Sequence, residues 1–96
     1  MRPSEALAGR LDEVRAILAR YPVRNPRLFG SAARGEDGEA SDLDLLVDAT
    51  DTTTYFHLAA LEEELAALLG VPVDVLTDGA VGPEIAASVL RDLRPL

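Results

Sequence analysis

Two short strand-like runs, residues 41–48 and 71–76, flank a helix-length segment, and this arrangement narrows the fold more than any other feature of the chain. Between them Leu58, Leu61, Leu65 and Leu68 recur at helical spacing, with Glu62, Glu63 and Glu64 facing mostly outward. The threonines at 52–54 open this helix, and Gly70 is a natural C-terminal cap. A full helix between two strands suits a parallel crossover. Upstream, Pro26 precedes a short strand, residues 27–29, joined to the next by a linker short enough for an antiparallel pair. An earlier amphipathic helix carries Leu7, Leu11, Val14, Leu18 and Tyr21, with Ile17 beside them; Ser4 is its candidate N-cap and Pro22 stops it. Gly82 and Pro83 start a last helix with Ile85, Val89 and Leu93 on its apolar face. The order predicts an α/β fold, a small mixed sheet of about three core strands packed by helices.

The 96 residues fit one domain, 1–96, which buries about two-thirds of its unfolded surface. Apolar residues at 48% are too many for a disordered chain. With no cysteine, disulfides, thiolate zinc sites and cysteine nucleophiles are excluded. His57 is the one histidine, and all nine basic residues are arginine, so Schiff-base and P-loop lysines are excluded too. Seventeen acidic residues bring the formal charge to -8, which argues against nucleic acid as a direct partner. The N-terminal stretch mixes charges through its first turns, and no run reaches the roughly 20 apolar residues of a spanning helix. The expected setting is the cytoplasm, with no membrane partner.

Three features converge on one chemistry. Gly30 and Ser31 stand where a strand turns into a helix, a place where free backbone N–H groups and a hydroxyl suit phosphate. Alone, such a turn is more often just a helix cap. Asp42 and Asp44 lie two apart on a strand and so share a face, while Leu43, Leu45 and Val47 point to the packed side. Two carboxylates that close repel unless a cation sits between them, and their oxygens suit Mg²⁺. For a lone Asp-x-Asp, a solvated edge strand is the plainer reading. Asp74, between Val73 and Val75, leaves the apolar face in the same way and can join the pair if the strands are adjacent. Three aligned carboxylates behind a phosphate-type turn are harder to dismiss than any one of them.

Leu28-Phe29-Gly30-Ser31-Ala32-Ala33-Arg34-Gly35-Glu36, followed by Ser41-Asp42-Leu43-Asp44-Leu45-Leu46-Val47, resembles the signature of minimal nucleotidyltransferases. These are small members of the DNA polymerase beta-like nucleotidyltransferase superfamily. The likeness extends through Val73-Asp74-Val75-Leu76 and residues 89–96, and so covers nearly the whole chain. It implies the polymerase beta-like fold and a reaction in which a hydroxyl attacks the α-phosphorus of ATP or another NTP and pyrophosphate leaves. Gly30 and Ser31 would hold the triphosphate, with Arg34 as a further phosphate ligand. Asp42 and Asp44 would bind two Mg²⁺ ions, and Asp74 would complete the ion site and help deprotonate the acceptor. Larger relatives append a helical domain that grips base and acceptor, and none is expected here. Stand-alone members resemble the antitoxin half of HEPN/MNT modules, which implies transfer of AMP to a tyrosine of a HEPN-type ribonuclease toxin. A catalytically idle antitoxin and an enzyme for a small hydroxylated molecule are the alternatives.

Other residues have plainer readings beside functional ones. Arg34 can equally pair with Glu36 or Asp37. His57 reads as a solvated or capping histidine near a helix start. Tyr55 and Phe56 are core or stack a base, and Arg24 and Arg27 are surface arginines or a basic rim.

Overall fold

The computed structural model describes residues 1–80 and 91–96. Helices α1 (Pro3–Gly9) and α2 (Leu11–Leu18) lead into strand β1 (Val23–Phe29), short helix α3 (Ser31–Arg34) and strand β2 (Leu43–Ala49). Helix α4 (Tyr55–Leu69), strand β3 (Val73–Thr77), a 3₁₀ turn (Asp78–Ala80) and the two-residue strand β4 (Arg94–Pro95) follow. The sheet runs β3-β2-β1-β4. As expected, β1 and β2 are antiparallel and β2 and β3 are parallel. Among the described residues four strands are present where about three were expected, because β4 pairs antiparallel with the outer side of β1.

Period-two alternation places the core. Leu43, Leu45 and Val47 of β2 and Val73 and Val75 of β3 are buried on one face, against Leu7, Val14, Leu18, Leu61, Leu65 and Leu69 of the helices. Each leucine so buried contributes about 1.5–3 kcal/mol. Helix α4 is held at both ends. Thr54 Oγ1 accepts the His57 N–H, and the His57 ring nitrogen Nδ1 accepts the Thr54 N–H at 3.1 Å, so His57 is a capping residue. Gly70 ends the helix with φ 72, and Pro72 prevents its resumption. Of the four leucines expected to form the α4 stripe, Leu61 and Leu65 are fully buried and Leu58 and Leu68 flank them; Leu69 joins the buried set.

Several expected boundaries shift. The first helix is two, because Gly9 and the non-helical Arg10 (φ -135, ψ 27) break it. Strand β1 starts at Val23 and runs through Pro26, with an irregularity between Arg24 and Arg27 and Asn25 at φ 51. Strand β2 starts at Leu43, so Asp42 immediately precedes it. The helix expected from Gly82 and Pro83, with Ile85 and Val89, falls outside the described residues. Among the described residues no helix is long and apolar enough to cross a membrane.

Ser4 does not cap α1. Pro3 occupies the first helical position, and Ser4 instead donates its N–H and hydroxyl to Asp37, each at 2.8 Å. Asp37, 3% exposed, thus sets a carboxylate at the N-terminus of α1, where the helix dipole favours negative charge. Burial works to raise its pKa, but the Ser4 donors and the charge of Arg2 outweigh it and hold the carboxyl below its usual value. The stability this provides is therefore full at neutral pH and lost as pH falls below about 4. Replacing Asp37 with Ala is expected to cost about 1–3 kcal/mol in urea unfolding at pH 7, through the orphaned Ser4 donors. The cost should shrink at pH 3; an equal loss at both pH values would show that packing, not charge, matters there.

Candidate active site

Gly30 connects β1 to α3 with φ 76 and ψ -157, a conformation open to glycine. Its neighbour Phe29 pairs across the sheet with Asp44, which brings the turn alongside the Asp44 carboxylate. A Cβ on residue 30 would lie 2.6 Å from Asp44 Oδ2. The glycine of the phosphate-type turn is thus also the space into which an acidic oxygen fits. Ser31, half-buried, opens α3, whose first N–H groups lack partners within the helix.

Asp44 and Asp74 are register partners on the parallel strands β2 and β3, about 5 Å apart across the ladder. Asp42 precedes β2 and is exposed, as is Asp74; Asp44 is half-buried. The Leu43 N–H donates to the Pro72 carbonyl at 2.9 Å, tying the entry of β2 to that of β3. Ser41 hydrogen-bonds Gly38 through its hydroxyl at 2.9 Å and shapes the approach to Asp42. Burial, then the charge of Asp74, then that of Asp42 push the Asp44 carboxyl up to about 6. Phe29 and Leu46 lie on the same face of the sheet as Asp44 and form a small apolar cluster with Leu93.

Among the described residues no three acidic or histidine side chains are gathered tightly enough to hold a metal ion by themselves. Register brings Asp44 and Asp74 together, and Asp42, just before the strand, is close enough for its charge to act on Asp44. That donor set fits Mg²⁺, which binds through one or two carboxylates plus substrate phosphates and water. A carboxyl whose pKa is raised by burial and by its acidic neighbours is also a group whose ionisation a cation would favour.

The other sequence candidates sort by contact. Arg34 donates to Asp92 at 2.6 Å and lies 3.6 Å from Glu36; the hydrogen bond to Asp92 raises its pKa further. Asp37, the other partner considered for it, is taken by Ser4. Arg27 binds Asp48 at 2.8 Å, and Arg24 is exposed. Tyr55 and Phe56 are not core: they are 88% and 87% exposed. Asp92 went unnoticed in the sequence because its partner lies 58 residues away; Leu93 was noticed, but for a helix face rather than for its packing against Phe29 and Leu46.

A Gly-Ser turn beside in-register carboxylates suits phosphate and the cations that accompany it. The chain belongs to the nucleotidyltransferase domain family, whose model matches residues 11–95. It is a nucleotidyltransferase of the minimal type, in a superfamily that generally uses divalent metal ions. It is similar to the protein adenylyltransferase MntA of Thermococcus cleftensis, with 38% identity over 91 residues, covering 86% of this chain and 92% of that one. A solved structure provisionally described as a minimal nucleotidyltransferase superposes with TM-score 0.85 and 41% identity, over 97% of this chain and 95% of that one. The fold is also shared with a complex of tri-AMPylated Shewanella oneidensis HEPN toxin and MNT antitoxin. There the TM-score is 0.66 and identity 19%, over 96% of this chain and 70% of that one.

Proposed function

We propose that this nucleotidyltransferase transfers AMP from ATP, with Mg²⁺, to a tyrosine hydroxyl of a HEPN-type ribonuclease toxin, and acts in the cytoplasm as the antitoxin. The observation that carries the reading is the pairing of Asp44 with Asp74 beside the Gly30–Ser31 turn. The name of the Thermococcus relative supports AMP as the group moved, and the AMPylated toxin bound to its MNT antitoxin supports the acceptor class.

The turn at Gly30 and Ser31 offers backbone N–H groups and a hydroxyl to the triphosphate. Asp42, Asp44 and Asp74 would hold two Mg²⁺ ions, which when bound neutralise phosphate charge and steady the attacking and departing oxygens. Asp74, exposed on β3, takes the proton of the acceptor hydroxyl. The new bond joins that oxygen to the α-phosphorus, and the bond to the β-phosphate oxygen breaks to release pyrophosphate.

Intact-mass spectrometry of the toxin after incubation with this protein, ATP and Mg²⁺ is the direct test, with a gain of AMP mass expected. Asp74→Ala should lower turnover by about 10²–10⁴-fold while Mg·ATP still binds. A toxin neutralised without modification, and equally well by Asp42→Asn, would instead mean masking by contact.

A further inference from the structure

A groove of about 690 Å³ lies between the first half of α4 and β3, the end strand of the sheet among the described residues. Tyr55, Phe56 and Leu58 form one wall, and Val75 and Leu76 the other. Large apolar groups that are exposed singly are ordinary, but two adjacent aromatic rings opening onto an apolar groove mark a contact surface. Leu76, 37% exposed, alternates with buried Val75 and so shares the face of Asp74, about 7 Å further along the strand. The groove thus wraps the edge of β3, with Leu76 two residues beyond Asp74 on the same strand face.

Charge limits what can occupy it. No Arg or Lys occurs in residues 35–90, and the described residues lining the groove include Glu62 but no Arg, Lys or His. Glu62 lines the groove and is fixed there by accepting the Val75 N–H at 2.8 Å, which also covers a backbone donor of β3. Exposed Asp51, Glu63 and Asp78 flank the groove residues in sequence. A polyanion is repelled by such a surface, whereas an apolar segment carrying Lys or Arg complements it.

We propose that this groove docks the acceptor protein, through an apolar segment of that protein flanked by basic side chains, and so delivers its hydroxyl to Asp74. The proposal rests on the reading that the acceptor is a protein. Aromatic anchors such as Tyr55 and Phe56 are the residue types that dominate contact energies.

The test uses the full chain with the substitutions Tyr55→Ser/Phe56→Ser together, and separately Glu62→Gln, which keeps an acceptor for Val75 but removes the charge. Calorimetry measures Mg·ATP binding, and titration against the HEPN-type toxin measures docking. The double substitution should weaken toxin binding at least tenfold and leave Mg·ATP affinity within twofold. Glu62→Gln should weaken binding several-fold at low salt, with the difference fading at high salt. Toxin binding within twofold of wild type in both variants overturns the proposal. So does a parallel loss of Mg·ATP affinity in the double variant, which would give the rings to the nucleotide. Groove-dependent binding of a labelled RNA oligonucleotide in place of the toxin overturns it as well. Wild-type protein that binds toxin through the groove but never modifies it leaves the docking proposal standing and removes the transfer reading instead. Failure of wild type to bind any toxin removes both.

Discussion

Asp44→Asn should remove nucleotide transfer and at the same time make the metal-free protein more stable at pH 8. Loss of one electrostatic anchor at a reacting phosphate costs about 10²–10³-fold or more in rate. The gain in stability has a separate origin. Burial, with Asp74 and Asp42 close by, holds the folded carboxyl at about 6, above its ordinary value. Ionisation therefore opposes folding: Asp44 is harmless below the ordinary carboxylate pKa and increasingly unfavourable as pH rises through about 6. With allowance for solvent screening at a half-exposed site, the penalty is about 1 kcal/mol, or a melting shift of about 4–8 °C for a domain of this size. Thermal melts in chelator at pH 3.5 and pH 8 read the effect. The Asn variant should gain at pH 8 and match wild type at pH 3.5, below the ordinary carboxylate pKa, and equal melting at both would mean that the carboxylate is fully solvated.

Gly30→Ala is expected to be almost as damaging to transfer, for a steric reason. The new Cβ would fall 2.6 Å from Asp44 Oδ2, so either the carboxylate turns away or the phosphate turn shifts. A displacement near 1 Å at a reacting centre costs about 10²-fold. The φ of 76 adds about 1–2 kcal/mol of backbone strain for any residue with a Cβ. Gly35 separates the two effects: its φ is 71, yet nothing lies within 4 Å of its hypothetical Cβ. Gly35→Ala should therefore lose similar stability and keep its rate. If both alanine variants transfer AMP equally well, contact between the turn and Asp44 has no part in catalysis.

Much of this site was legible because strand alternation is a local property. Leu43, Leu45 and Val47 against Asp44, and Val73 and Val75 against Asp74, declare their faces within a few residues, and the helix between them implies parallel pairing. What escaped notice depends on distant partners. Asp37 reads as one more loop acid until Ser4, 33 residues earlier, buries it. Strand β4 has two residues and no periodicity to display; it exists because the outer edge of β1 accepts it. Ser4 misled as a cap because its hydroxyl answers to Asp37, although Pro3 was a sequence signal for the true helix start. Asp42 continued the alternation on paper, but the strand begins one residue later.

The irregularity in β1 bears on the order in which the chain is made. Strand β1 emerges from the ribosome before either of its neighbours, and β4, which covers its outer side, is made only after β2 and β3. Throughout that interval an ordinary strand would offer a row of free N–H and C=O groups to any other nascent chain. Here Pro26 contributes no N–H, Asn25 turns the backbone out of line at φ 51, and exposed Arg24 adds charge. The outer edge of β1 is thereby a poor template for strangers and still a sufficient one for two residues of its own chain.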